Sequence, residues 1–348
     1  MEKYYKTYAN AIINELLQLR TGDALSINTE EEDAEFAKLI ASEALEITKV
    51  TVKIVILNNG KPVHVVEFEP APPAQLPKSF AMLRLSHERK IREEGKYLDI
   101  MPEADDVLAI QKLGHLAEPV VLDRRISVPW CVAKVFDYDD TDSWAALERK
   151  IDLNIANQIL VASYRSQSLE NAEISEVLFR GPDTDFSVKI PQGSLFIGGR
   201  QILPSGREFM TGMDFDRLSF LADRFSAEGR FRAEIRIFGK KLTADFTFRD
   251  GLLVDRPHTA EFERLLSFDE NLRRVGFISM RDNEVIINLG GALSEALGVI
   301  PRTEELLPDY FNTSLYTLKC ELSKNIDIDY IDRTGIVHEL AREGLFLE

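Results

Sequence analysis

The chain has 348 residues, with 42 Lys and Arg against 58 Asp and Glu, a net charge of −16, five His and two Cys. At about 100–200 residues per domain this length predicts two domains, and 45% hydrophobic beside 29% charged residues suits a globular protein with a substantial core. Cys131 and Cys320, far apart in sequence, exclude a disulfide scaffold or a Cys-rich zinc site, and the acidic surplus disfavours nucleic acid and anionic membrane as partners.

The opening stretch MEKYYKTYANAIINELL is too charged for a secretory signal, and no apolar run approaches about 18 residues, so a cytoplasmic protein is expected. Residues 3–20 read as an amphipathic helix on Ile12, Ile13, Leu16, Leu17 and Leu19. Thr21-Gly22-Asp23 breaks it, and Ala24–Ile27 is a short apolar strand. Thr29 and Glu32 have capping-box spacing and predict a helix to about Ile47. Lys49–Leu57 is a β-branched run closed by Asn58-Asn59-Gly60, a strand. Strand, helix and strand in this order form a βαβ unit and argue for a parallel sheet. Neither strand is followed by G-x-G-x-x-G or a P-loop, which removes the usual nucleotide sites.

Pro70–Pro77 reads as a rigid loop, Met82–Tyr97 as a charged helix, Val107–Leu113 as a short helix or strand, and Ser127–Phe136 as a buried strand. The acidic run Asp137–Asp142 marks a boundary near residue 140; it lacks the Gly and terminal Glu of a calcium loop and reads as a solvated linker. Beyond a helical stretch near 142–160 the pattern changes. Phe186–Ile190, Ser194–Ile197, Phe231–Phe238, Leu242–Phe248 and Val275–Ile287 are strand-like between Gly-containing turns, with helices near 258–273 and 291–297. The fold expected is α/β plus α+β: a parallel-sheet domain over 1–140 and a domain with a largely antiparallel sheet over 141–348.

Catalytic groupings are scarce. The chain has no H-E-x-x-H, C-x-x-C or G-x-S-x-G motif. His64, His87, His115, His258 and His338 each stand alone, and Cys131 beside Trp130 reads as an inert buried thiol. One carboxylate grouping stands out: Ile326–Asp332 (IDIDYID) puts Asp327 and Asp329 on one face of a strand, either a shared cation or proton site or an exposed face beside the turn Asp332–Gly335.

The order of several segments resembles a known family. These are GDALSINTEEEDAEFAKLIASEALEITKVTVKI near the start, SVPWCV at 127–132, Thr184-Asp185-Phe186, Gly212–Phe231 (GMDFDRLSFLADRFSAEGRF), Leu242–Asp255, Phe268–Gly276 and the closing IDYIDRTGIVHELAREGLF. Over nearly its full length the chain resembles the thermophilic metallo-aminopeptidases of the aminopeptidase T and S type. That resemblance implies two divalent metals, Zn, Co or Mn, on carboxylates and imidazoles, a metal-activated water, an anchored peptide amine and a homodimer.

Carried over position by position, the metal ligands are lost. The Glu of the family's Pro-x-Gly-Glu motif falls on Arg217, the Glu of its Gly-Glu motif on Phe277, and a His near Ile286. The family's His-x-Asp pair falls on Tyr316 and Leu318 when counted back from the final hairpin. Phe, Ile and Leu donate nothing to a metal, and Arg is a permanent cation. The expectation is a non-catalytic aminopeptidase-like protein without a metal cofactor. Either its cleft holds a peptide or small ligand through Arg217, Phe277 and Tyr316, or those residues simply pack a vacated pocket. The alternative is a divalent-metal aminopeptidase with a rearranged site built from Asp214, Asp216, Asp327 and Asp329.

Overall fold

A computed structural model describes residues 2–47, 49–58, 61–68, 96–102, 130–135, 140–152, 155–202, 208–210, 212–291, 308–312, 314 and 316–347. Among these residues the chain forms two compact units, one drawing on 2–102, 130–161 and 200–215, the other on 162–199 and 216–347. The crossing from first to second falls inside a helix, between 161 and 162, and residues 200–215 return to the first unit. The sequence had suggested one cut near 140.

The first unit begins with helix α1 (Glu2–Ala11), which widens into a π-type turn at Ile12–Leu16, closed by Leu17 N donating to Ile12 O at 2.9 Å. The apolar set read from the periodicity, Ile12, Ile13, Leu16, Leu17 and Leu19, is buried. Strands β1 (Ala24–Glu30), β2 (Thr51–Asn58), β3 (Lys61–Phe68), β4 (Lys96–Pro102) and β5 (Trp130–Val135) form a sheet in the order β3-β2-β1-β4-β5. The β1–β2, β1–β4 and β4–β5 pairs are parallel, as the βαβ reading requires, and helix α2 (Ala34–Leu45) makes the first crossover. Only β3 runs antiparallel, joined to β2 by a hairpin in which Asn58 faces Lys61.

Two local expectations fail here. Thr29 does not cap a helix: β1 continues through Glu30, with Thr29 buried opposite Ile56, and α2 starts after Asp33 with no side-chain cap. Cross-strand pairing outweighs a cap that contributes only about 1 kcal/mol. The charged helix read over Met82–Tyr97 is strand β4 at Lys96 and Tyr97, and its remainder lies outside the described residues. Lys96 is buried because its ammonium is fully met, by Leu17 O at 2.7 Å, Gln18 O at 2.5 Å and Asp23 Oδ2 at 2.9 Å. Pro70–Pro77, Val107–Leu113, His87, His115 and the helix read near 291–297, apart from Gly291, also lie outside the described residues.

Helices α3 (Thr141–Asp152) and α4 (Ile155–Asn171) follow. Trp144 of α3 packs edge-on against Tyr5 at 5.0 Å in a core shared with Tyr8 and Phe36.

The second unit is dominated by one sheet in which every pair is antiparallel. Its early strands are β6 (Ile174–Gly181) and β7 (Thr184–Lys189); the short hairpin β8 (Gln201–Ile202) and β9 (Glu208–Phe209) belongs to the returning segment of the first unit. Then come β10 (Leu218–Leu221), β11 (Glu228–Ile237), β12 (Lys240–Arg249) and β13 (Leu252–Asp255). After helix α5 (Ala260–Leu266), capped by Thr259 Oγ accepting from Phe262 N at 3.2 Å, follow β14 (Val275–Arg281) and β15 (Glu284–Gly290). The chain closes with β16 (Thr317–Leu322), β17 (Asp327–Asp332), β18 (Val337–Arg342) and β19 (Leu345–Phe346). The order is β10-β14-β15-β16-β11-β7-β6-β17-β18-β19, with β12 and β13 branching from β11.

Strict alternation along β11 and β12 sends one face into a core where Phe186, Phe231, Phe246 and Phe248 meet at 5.2–5.8 Å. The opposite face carries alternating charge: Asp327, Arg180, Asp185 and Arg230 stand side by side across β17, β6, β7 and β11. Opposite charges as direct neighbours let that face be polar without like-charge repulsion. The strand expected at Ser194–Ile197 is a loop, with only an Ile197–Ser219 bridge.

Candidate functional site

Strands β10, β14, β15 and β16 lie side by side, and their register decides which candidate residues can meet. One face holds Phe220, Ile278, Ile287 and Cys320 in a row, all part of the main core. Burial pushes the Cys320 thiol well up, so it is no nucleophile. The opposite face carries a row of Leu221, Phe277, Asn288 and Lys319, and beside it a row of Ser219, Ser279, Ile286 and Glu321.

Phe277 and Ile286 therefore share this face, and Arg217, one residue before β10, reaches across to it to pair with Glu284 at the start of β15. Leu318 does not share it. Its side chain is in the main core, because β16 turns 318, 320 and 322 inward and 317, 319 and 321 outward. Counting back from the final hairpin thus lands one residue out of phase with the face of Phe277, and the residues β16 presents there are Thr317, Lys319 and Glu321. Tyr316, just before β16, packs its ring against Phe268 at 5.7 Å and against the core.

Arg217 is committed to an ion network. Its guanidinium pairs with Glu284 Oε2; Arg281 Nε meets the same oxygen at 2.9 Å, and Arg281 Nη2 meets Oε1 at 3.1 Å. Arg281 Nη1 also lies 3.8 Å from Asp216. Two guanidinium groups and two carboxylates neutralise one another, and Glu284 has a cation on each oxygen. Next to this network Ser219 and Ser279 share a hydrogen bond of 2.8 Å between their hydroxyls.

Gly276, just before Phe277, meets a steric demand of the backbone. A β-carbon there would run into the carbonyl oxygens of Gly290 and Gly291, at the bulge between Val275 and Phe277.

The alternative carboxylates are dispersed. Asp214 falls in the first unit and Asp216 in the second. Asp327 and Asp329 share a face of β17, seven strand positions from β10. Asp329 is buried between Arg180 at 2.7 Å and Arg342 at 2.6 Å, while Asp327 accepts from Glu343 N at 2.7 Å. Among the described residues no three or more His, Cys, Asp or Glu side chains come together as a metal-binding group. The remaining histidines serve locally: His338 Nε2 meets Asp332 Oδ2 at 2.8 Å and stacks on Tyr330 at 4.8 Å, His258 is exposed 3.9 Å from Asp255, and His64 is exposed on β3. Sequence reading missed Ser219, Ser279, Arg281, Glu284 and Lys319, because only strand register reveals which residues share the face.

No protein-family model matches the chain. In sequence it is similar to Aminopeptidase 2 of Geobacillus stearothermophilus, 22% identical over 334 residues, spanning 84% of this chain and 79% of that protein. In structure it is similar to wild-type AmpT from Thermus thermophilus, with a TM-score of 0.72 and 18% identity over the whole of both chains. The chain is thus similar to an aminopeptidase in sequence and to AmpT in fold. At these identities the structural likeness carries the fold: a small mixed sheet in the N-terminal part and a large antiparallel sheet in the C-terminal part.

The metal pair that the resemblance implies needs deprotonated oxygen or nitrogen donors at preset positions. A guanidinium at 217, a phenyl ring at 277 and a sec-butyl group at 286 supply none, and Lys319 adds an ammonium to the same face. The residues at the carried-over positions do not fit a divalent-metal pair.

Proposed function

We propose that the chain is an aminopeptidase-like protein that does not hydrolyse peptides. The observation that carries this reading is the Arg217–Glu284–Arg281 network. Glu284, the carboxylate that Arg217 meets at this face, is already neutralised by two permanent cations, so a divalent ion binding there would have to displace a guanidinium and then sit beside it. The reading leaves the face able to hold a peptide or small ligand without turning it over.

The test is hydrolysis of aminoacyl p-nitroanilides, leucyl and alanyl, by the purified full chain supplied in turn with Zn, Co and Mn. No release of p-nitroaniline above buffer is expected. Metal-dependent turnover would overturn the reading in favour of a working metallo-aminopeptidase.

A further inference from the structure

A cavity of about 350 Å³ lies in the second unit where α4 ends. Its walls include four buried apolar side chains, Leu169, Ile174, Ile190 and Phe196. Its polar rim includes Glu170, in the last turn of α4, and Glu173 just beyond it. Arg333 lines the same space, tied by its backbone N–H to Glu173 O at 3.1 Å.

The electrostatics of this rim are unbalanced. A helix C-terminus concentrates negative potential and is stabilised by cations. The last turn of α4 has no basic residue, and its end carries two carboxylates instead. Glu170 accepts one hydrogen bond, from Phe196 N at 3.2 Å, and among the described residues neither Glu170 nor Glu173 has an ion-pair partner, Arg333 included. The surrounding protein pushes the Glu170 carboxyl up, against the pull of the Phe196 amide. A carboxylate pair over an apolar hollow at a helix C-terminus complements a positive head on an apolar body.

We propose that this cavity is a binding site for a small organic cation, a primary ammonium carried on an aliphatic or aromatic body. The ammonium sits between the Glu170 and Glu173 carboxylates at the negative end of α4, and the apolar body fills the hollow against Ile190 and Phe196. The size of the hollow suits a single residue-sized group rather than an extended chain.

The test is calorimetric titration of the full chain with hexylamine and, separately, with hexanoate, which has the same apolar body and the opposite charge. The titrations are repeated on the Glu170→Gln/Glu173→Gln variant, whose fold is checked by circular dichroism. Saturable hexylamine binding is expected, at least about tenfold tighter than hexanoate, with at least a tenfold loss in the variant. Equal or tighter binding of hexanoate, no saturable hexylamine binding, or affinity unchanged in a folded variant would each overturn the proposal.

Discussion

Glu284 pairs with Arg217 from 67 positions further along the chain, at the entrance to the sheet face where the family's metal ligands are expected. Both side chains are largely shielded, at 16% and 17% exposure, so the pair is enclosed and shares its carboxylate with Arg281. Breaking such a pair from one side leaves a charge without its partner in a poorly hydrated place.

Glu284→Gln is expected to destabilise the chain by about 2–3 kcal/mol, since it removes the carboxylate that two guanidinium groups share. Arg217→Met should cost less, because Arg281 still neutralises the carboxylate. In a double-mutant cycle read by urea unfolding, the two residues should couple by about 1–3 kcal/mol. Purely additive effects would show that the pair is not formed in solution.

Lys96 ties three acceptors from two segments of the first unit. Lys96→Met keeps the aliphatic length but takes the donor from two carbonyls and the cation from Asp23, and is expected to destabilise by about 3 kcal/mol. Thermal unfolding checks this, and adding Asp23→Asn to the variant should recover part of the loss. A Lys96→Met protein as stable as the parent would contradict the buried ammonium.

Gly276→Ala forces a methyl group against the backbone at Gly290 and Gly291, where no flexible side chain can yield. The expected cost is at least about 3 kcal/mol, visible as a lowered urea midpoint or loss of soluble protein. Tolerance of alanine would mean that the β14–β15 bulge is not formed as described.

Asp33 sits at the start of α2 with its carboxyl raised to about 6, first by burial and then by Glu32 and Glu30. A folded-state value above that of the unfolded chain means the native state binds the proton more tightly. Its contribution is therefore complete below about pH 4 and is lost as pH rises through about 6. The parent should lose stability relative to Asp33→Asn across that window, and the variant should be the more stable at pH 7. Denaturant unfolding of both proteins between pH 4 and 7 measures the difference, and parallel curves would refute it.

What was legible in the sequence follows from what is local. The helical spacing of Ile12, Ile13 and Leu16 and the β-branched run into Leu57 located α1 and β2, since each pattern needs no knowledge of its neighbours. Alternation in Arg232–Ile237 and Leu242–Phe248 gave β11 and β12 for the same reason. The single apolar stretch 275–287 folds as two strands, because polar Asp282-Asn283, with Asn283 in left-handed backbone at φ 60°, turns the chain. Lys96 was misread because a lysine in a strand core is explained only by the carbonyls it meets almost 80 positions away. Which face Leu318 takes is hidden from the sequence for a related reason. A one-residue slip reverses the face of a strand, and only pairing with β15 fixes it. Asp327 and Asp329 do share a face, yet their arginine and backbone partners come from other strands and turns that spacing alone does not reveal.

The most direct test of the central claim is the metal content of the purified full chain, by inductively coupled plasma mass spectrometry. The chain is incubated with a micromolar mixture of Zn, Co and Mn and then desalted. The account predicts well under one ion per chain, with no difference between the parent and the Arg217→Met variant. One or two ions retained per chain would contradict it and return the protein to the working metallo-aminopeptidases.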